Sequence, residues 1–141
     1  DAARTLLERF GILRETEGYT LLYEGPDSRV VIGDPQRIEQ VIYNLLSNAI
    51  NHAGEDYTVI LRVKEEEKKT RVEIEDHGKG IEPDEIEKIW KRYYKSSKKG
   101  GRRMIGTGLG LSIVKSNLDL HHARYGVDST PGEGSTFYFV L

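Results

Sequence analysis

Apolar and polar residues alternate along this chain in two rhythms, and the switches between them mark its elements. Residues 1 to 16 place Leu6, Leu7 and Phe10 on one side of a helical projection and Arg and Glu on the other. The YTLLY run from Tyr19 to Tyr23 and the RVVI run from Arg29 to Ile32 read as short strands joined by a Gly25-Pro26-Asp27 turn. Asp34 then stands where a helix N-cap belongs, with Pro35 at the first helical position. The helix it opens reads IEQVIYNLLSNAINHA, from Ile38 to Ala53. A second strand pair, Tyr57 to Val63 and Thr70 to Asp76, flanks the charged segment Lys64 to Lys69, which reads as a solvated hairpin end. Pro83-Asp84 opens a short helix to about Tyr94, and Lys95 to Met104 is a polar loop containing glycine. Gly108 to His121 carries Leu111, Val114 and Leu118 at helical spacing, and Arg124 to Val127 and Ser135 to Leu141 close the chain as strands. Hairpins dominate this α/β mixture, so one sheet covered on one face by helices is the natural architecture.

At 141 residues the chain is most economically one domain, long enough to bury roughly two thirds of its unfolded surface. Its 21 Lys+Arg nearly cancel its 23 Asp+Glu, so no global field recruits nucleic acid or an anionic membrane. There is no cysteine, which excludes disulfides, thiolate metal sites and thiol chemistry. No apolar run approaches the ~20 residues of a membrane span, and no signal peptide is visible. Asp1 is not a natural start, so the chain is expected to be a soluble fragment of something longer.

The Ile38 to Ala53 helix has an unusual polar face. At 100° per residue, Arg37, Gln40, Asn44, Asn48 and Asn51 fall within about an 80° arc, opposite Ile38, Ile42, Leu45, Leu46, Ala49, Ile50 and Ala53. An ordinary amphipathic helix shows Lys and Glu to water, and asparagine is a mediocre helix former. Three aligned asparagines cost helix propensity without a packing gain. A neutral amide oxygen is, however, a hard ligand suited to Mg²⁺ that already carries phosphate charge.

Two glycine-rich turns follow. In TRVEIED, Val72, Ile74 and Asp76 share a face by period-two alternation. Asp76 is thus a carboxylate on the apolar side at a strand end, ahead of Gly78 and Gly80 in DHGKG. Such a group needs a donor, and an adenine amino group is one; a β-turn capped by Asp is the plainer alternative. GTGLGLSIV sets Gly106, Gly108 and Gly110 ahead of a helix, where close backbone approach and free N–H groups suit an anion. A polar loop precedes these glycines rather than the strand a dinucleotide fold requires, and no Gly-Lys-Ser/Thr ends the run. Lys88 to Arg103 is basic without one acidic residue, as expected of a mobile lid over polyphosphate.

Asp34-Pro35, Arg37, Gln40, NLLSNA, DHGKGI, IWKRYYK, GTGLGL and GEGSTFYF together resemble the ATP-binding catalytic domain of bacterial sensor histidine kinases. The resemblance covers residues 1 to 141 and implies a two-layer sandwich. A mixed, mostly antiparallel sheet would lie under about three helices, with ATP between the asparagine helix and a flexible lid. It implies that Asn48 is the Mg²⁺ ligand and that Asn44 lies beside it near the phosphates; with Lys95 they form the expected catalytic set. Asp76 would recognise the adenine amino group, with Gly78 and Gly80 shaping the pocket and Thr136 supporting the adenine end through water. Gly106, Gly108 and Gly110 would let the lid meet the phosphates, and Tyr94 and Lys95 match aromatic and basic positions before it. Asn51, His52, Ile81, Thr107, Leu109 and Leu111 complete the expected nucleotide-binding set.

Some positions depart from the family's usual pattern. Asn51 stands where a phosphate-contacting lysine is common, which places the burden on lid lysines such as Lys98 or Lys99. His77 replaces a frequent asparagine, Trp90 and Tyr93 replace phenylalanines, Lys95 replaces an arginine, and His122-Ala123 replaces a glycine pair. None of His52, His77, His121 and His122 has the context in which the family phosphorylates histidine. The resemblance therefore implies an acceptor histidine on a separate dimerising domain, from which phosphate passes to a response regulator receiver domain. The whole protein would be a homodimer, and this domain would be the cytoplasmic part of a membrane-anchored sensor kinase. Two other readings share the fold: a nucleotide-binding regulatory module without catalysis, and a serine kinase of the anti-sigma type, which the IWKRYYK segment and lid length disfavour.

Overall fold

The computed structural model describes residues 20–25, 34–52, 54–55, 58–91 and 110–141. Strand β1 (Thr20–Glu24) precedes helix α1 (Pro35–Asn51) and strands β2 (Thr58–Glu66) and β3 (Lys69–Asp76). A single 3-10 turn (Lys88–Trp90), helix α2 (Gly110–Leu120) and strands β4 (Arg124–Thr130) and β5 (Gly134–Val140) follow. The strands form one sheet in the order β1-β2-β3-β5-β4. β1 runs parallel to β2, and the other neighbours are antiparallel. The expected helix over 1–16, the RVVI strand and the 95–104 lid lie outside the described residues.

Helix α1 starts where its cap predicts. The Asp34 carboxylate accepts from the backbone N–H of Gln36 at 3.0 Å and of Arg37 at 3.4 Å. Its apolar arc is fully used: Ile38, Val41, Ile42, Leu45, Leu46, Ala49 and Ile50 are all buried. They pack in one core with alternate residues of the sheet, among them Val59, Leu61, Val72, Ile74, Phe137 and Phe139. Strand register extends this inner face sideways, aligning Leu61 with Ile74 and Ile74 with Phe137. Val114 and Leu118 bring α2 into the same core.

The outer face of the sheet carries charge instead. Arg62 bridges Glu24 at 2.6 Å and Glu75 at 2.7 Å, and Arg71 pairs with Glu73 at 2.7 Å while its guanidinium lies 4.1 Å above the Tyr138 ring. Burial works against the Glu73 carboxylate, but hydrogen bonds from Arg71 and Lys64 outweigh it and hold its pKa below the usual range.

Three details differ from the sequence expectation. The segment from Pro83 is not an α-helix: its backbone bonds mostly reach back three residues, Glu85 to Glu82, Lys88 to Glu85 and Lys91 to Lys88. Ile86 and Ile89 recur at that tighter spacing, and Trp90 is delivered edge-on to Tyr125 and Phe137, at 5.2 and 5.7 Å between ring centroids. Next, β1 finds its partner across the α1 crossover, in parallel, a pairing that the hairpin reading did not contain. Finally, the β2–β3 connection is a two-residue turn with positive φ at both Glu67 (49°) and Lys68 (68°), the primed geometry that matches strand twist, here built without glycine.

Helix α2 ends in a Schellman arrangement. The N–H of His122 donates to Asp119 O at 3.1 Å, and that of Ala123 to Leu118 O at 3.0 Å. His122 itself is left-handed, with φ of 52°. His122→Gly is expected to stabilise the fold by about 1 kcal/mol, because glycine adopts this conformation without the Cβ clash. Urea denaturation of the two chains checks it, and a less stable glycine variant would show that the imidazole makes a compensating contact.

Candidate functional site

The period-two alternation that buries Ile74 also buries Asp76, which is 2% exposed. Its carboxylate accepts from the Gly78 backbone N–H at 2.9 Å and from the backbone N–H of Ser135. An ionised carboxylate offers about four acceptor positions, so two backbone donors leave capacity for a further donor. Desolvation is the main influence on this group and pushes its pKa up to about 7, against the lowering effect of the Gly78 bond and of His77.

The DHGKG glycines are needed for close approach. A Cβ on Gly78 would lie 1.7 Å from the His52 carbonyl oxygen, so this turn docks backbone to backbone on the C-terminal end of α1. Gly80 has φ of +73°, and a Cβ there would sit 2.4 Å from Thr130 O. The turn is thereby clamped between α1 and the β4–β5 connection, where Gly132 N–H donates to Lys79 O at 2.7 Å. Ile81 N–H donates to Ser129 Oγ at 2.7 Å, and Ser129 Oγ lies 2.9 Å from Ser135 Oγ.

Thr136 is one residue out of register with Asp76, although both border the same cavity. It pairs with Glu75, and alternation turns it to the opposite face of the sheet. Ser135 is the residue in register with Asp76, and its hydroxyl, linked to Ser129, is the one on the carboxylate's side. Sequence reasoning passed over Ser135 although a signal existed: it shares parity with Phe137 and Phe139, both buried.

A cavity of about 480 Å³ has Asp76, His77, Ile86, Ser129 and Ser135 in its wall. Its described lining comes from the sheet end and Ile86, not from α1. None of the described asparagines of α1 is in that wall. Along the stripe, Arg37 and Gln40 are exposed, whereas Asn44, Asn48 and Asn51 are half-buried. Asn44 Nδ2 is buried with no hydrogen-bond partner among the described residues. Neighbouring atoms at the helix end partly desolvate the His52 imidazole and lower its pKa, although the residue remains exposed.

Gly110 opens α2, and a Cβ there would meet nothing within 4 Å among the described residues. Leu111 follows, partly buried against the core. Ile81 is likewise packed against the core. Tyr94, Lys95, Gly106, Thr107, Gly108 and Leu109 lie outside the described residues.

An acid whose folded pKa is raised destabilises the fold progressively as pH climbs from its unfolded to its folded value. For Asp76 that window runs from 3.8 to about 7. Asp76→Asn is expected to be the more stable chain at pH 8, by an amount bounded on the order of 4 kcal/mol, and to lose much of that advantage by pH 5. Urea denaturation at both pH values measures this; an advantage independent of pH would contradict the assigned titration.

The histidine kinase-, DNA gyrase B-, and HSP90-like ATPase family profile matches residues 33–141. Sensor histidine kinase MtrB of Mycobacterium bovis is 36% identical over 136 residues, covering 96% of this chain and 24% of that protein. Sensor histidine kinase WalK of Bacillus subtilis is 32% identical over 139 residues, covering 96% of this chain and 23% of its own length. The chain thus spans about a quarter of these relatives. Among solved structures, a mycobacterial sensor histidine kinase, MprB, superposes with a TM-score of 0.80 at 27% identity, over 99% of this chain and 91% of that one. The catalytic domain of histidine kinase ThkA gives 0.77 at 27% identity, over 98% and 90%. With the matched segment spanning both the asparagine helix and the two glycine turns, the chain belongs to the histidine kinase-, DNA gyrase B-, and HSP90-like ATPase family, which implies an ATP site.

Proposed function

We propose that this chain binds Mg-ATP and donates the γ-phosphate to a histidine on a separate dimerisation domain, as part of a two-component sensor kinase that serves a response regulator. The observation that carries the reading is Asp76, a buried carboxylate with spare acceptor capacity, clamped by Gly78 onto the end of the asparagine helix. A carboxylate so placed accepts from an exocyclic amino group, and adenine carries one. Ser135, rather than Thr136, is the hydroxyl positioned to assist it.

The phosphate end falls to the asparagines and to α2. Mg²⁺ that arrives with phosphate oxygens takes only one or two protein ligands. Asn48 offers the amide oxygen, and the orphaned Asn44 Nδ2 offers a donor beside it. Bound there, Mg²⁺ would neutralise charge building on the transferring phosphoryl group. The start of α2 at Gly110 would turn the positive end of its helix dipole toward the same anion.

Asn44 also bears on the acceptor. An amide cannot take a proton from water, so this position supplies no general base for hydrolysis, and the phosphoryl group waits for a nucleophile brought by another domain. Lys95 and the basic segment around it are proposed to close over the polyphosphate.

Calorimetric titration with Mg-ATP is expected to show binding that Asn48→Ala weakens at least about tenfold and that Asp76→Asn abolishes with the fold intact. Affinity of the parent chain should also fall below pH 7 as Asp76 protonates. Mixing the chain with a dimerisation domain and radiolabelled ATP should give acid-labile phosphohistidine. Absence of Mg-ATP binding, or transfer to serine, sinks the proposal.

A further inference from the structure

Helices α1 and α2 are joined by a polar network that the nucleotide reading does not use. Asn117, on α2, is 3% exposed. Its Oδ1 accepts from Arg37 Nη1 at 3.0 Å, and its Nδ2 donates to Gln40 Oε1 at 3.0 Å. Both ends of the amide are thus satisfied by the first two members of the stripe that continues into Asn44 and Asn48. One turn further on, His121 Nδ1 donates to Asn117 O at 2.7 Å, and its Nε2 accepts from the Asp34 backbone N–H at 3.0 Å. These two bonds require the Nδ1-H tautomer. The network ties the cap and first turns of α1 to the last turn and a half of α2.

Its pairings define an antiparallel arrangement, His121 with Asp34 and Asn117 with Arg37 and Gln40. Gly110 lies seven residues before Asn117, about 10 Å along the axis. The same distance along α1 from the Arg37–Gln40 contact leads to the level of Asn44 and Asn48. The α2 N-terminus and the asparagines are therefore held at matching heights by a contact remote from both.

We infer that Asn117 is a positioning residue for the triphosphate: by gripping Arg37 and Gln40 it sets the axial register between the asparagine stripe and the N-terminus of α2. This rests on the Mg-ATP reading above. An apolar side chain at 117 would fill the same buried site without fixing axial position, since apolar contacts are not directional. The amide fixes it, because it has one matched donor and one matched acceptor on the other helix.

The decisive variant is Asn117→Leu. Arg37 and Gln40 are exposed, so both rehydrate when the amide is removed, and the leucine packs beside Val114 and Leu118; stability to urea is expected to be unchanged or higher. The His121 bonds use the backbone of Asn117 and survive. Mg-ATP affinity is expected to fall about tenfold, while adenosine, which needs only the Asp76 end, binds as in the parent chain. Asn117→Asp retains the grip on Arg37, with Gln40 turning its amide to donate, and should bind Mg-ATP as the parent does.

Unchanged Mg-ATP binding in Asn117→Leu overturns the inference, as does a parallel loss of adenosine affinity and stability, which marks Asn117 as merely structural. An Asn117→Asp chain as weak as the leucine one also overturns it. Asn48→Ala is titrated alongside: if that substitution leaves Mg-ATP binding intact, the nucleotide reading itself has failed, a result distinct from failure at Asn117 alone.

Discussion

The burial of one helix arc against one sheet face governs this molecule. Seven apolar residues of α1 meet the alternate residues of β2, β3 and β5, and every polar feature of interest is placed by what that contact leaves over. Because the arc from Ile38 to Ile50 must face inward, the Arg37–Asn51 stripe is turned away from the sheet, and its first members meet α2. Because Ile74 and Phe137 must face the helix, Asp76 and Ser135 at the same parity are carried inward with them. The site is a by-product of hydrophobic register in position, though not in chemistry.

That placement sets stability against binding. Asp76 is buried deeply enough for its carboxyl to titrate near neutrality, and the chain keeps it there with two backbone N–H donors. The spare acceptor capacity of this desolvated carboxylate is what a donor group on a ligand would satisfy. The Asn44 amide repeats the pattern on a smaller scale, with a buried donor unmatched among the described residues. The outer sheet face shows the contrary habit: Arg62, Arg71, Glu73 and Glu75 are paired among themselves, and there the chain satisfies its own charges.

Much of this was legible in the chain of residues. The Asp34 cap, the apolar arc of α1, the alternation ending at Asp76 and the strands around it are local patterns with local causes. The differences also have causes. Thr136 was expected at the adenine end from a motif, and parity with Phe137 and Phe139 adds Ser135 as the hydroxyl in register with Asp76. The segment after Pro83 had an acidic start and a few apolar residues, which suits an α-helix, but the fit of Trp90 between Tyr125 and Phe137 favours the tighter 3-10 pitch. The hairpin end within Lys64 to Lys69 was expected, but its two-residue primed form was not, because its left-handed residues are not glycine or asparagine.

By itself the sequence determined which elements form, which side of each is apolar, and which residue types are available for metal, phosphate and base. Those follow from backbone periodicity, capping and side-chain chemistry, all of which act over a few residues. Only the tertiary structure decided that β1 pairs in parallel with β2 and that the Gly78 turn rests on the carbonyl of His52. It alone joined Asn117 to Arg37 and Gln40, 80 and 77 positions away. Contacts of that span are selected by the packing of whole faces against one another, and no local pattern encodes which distant partner a face will meet.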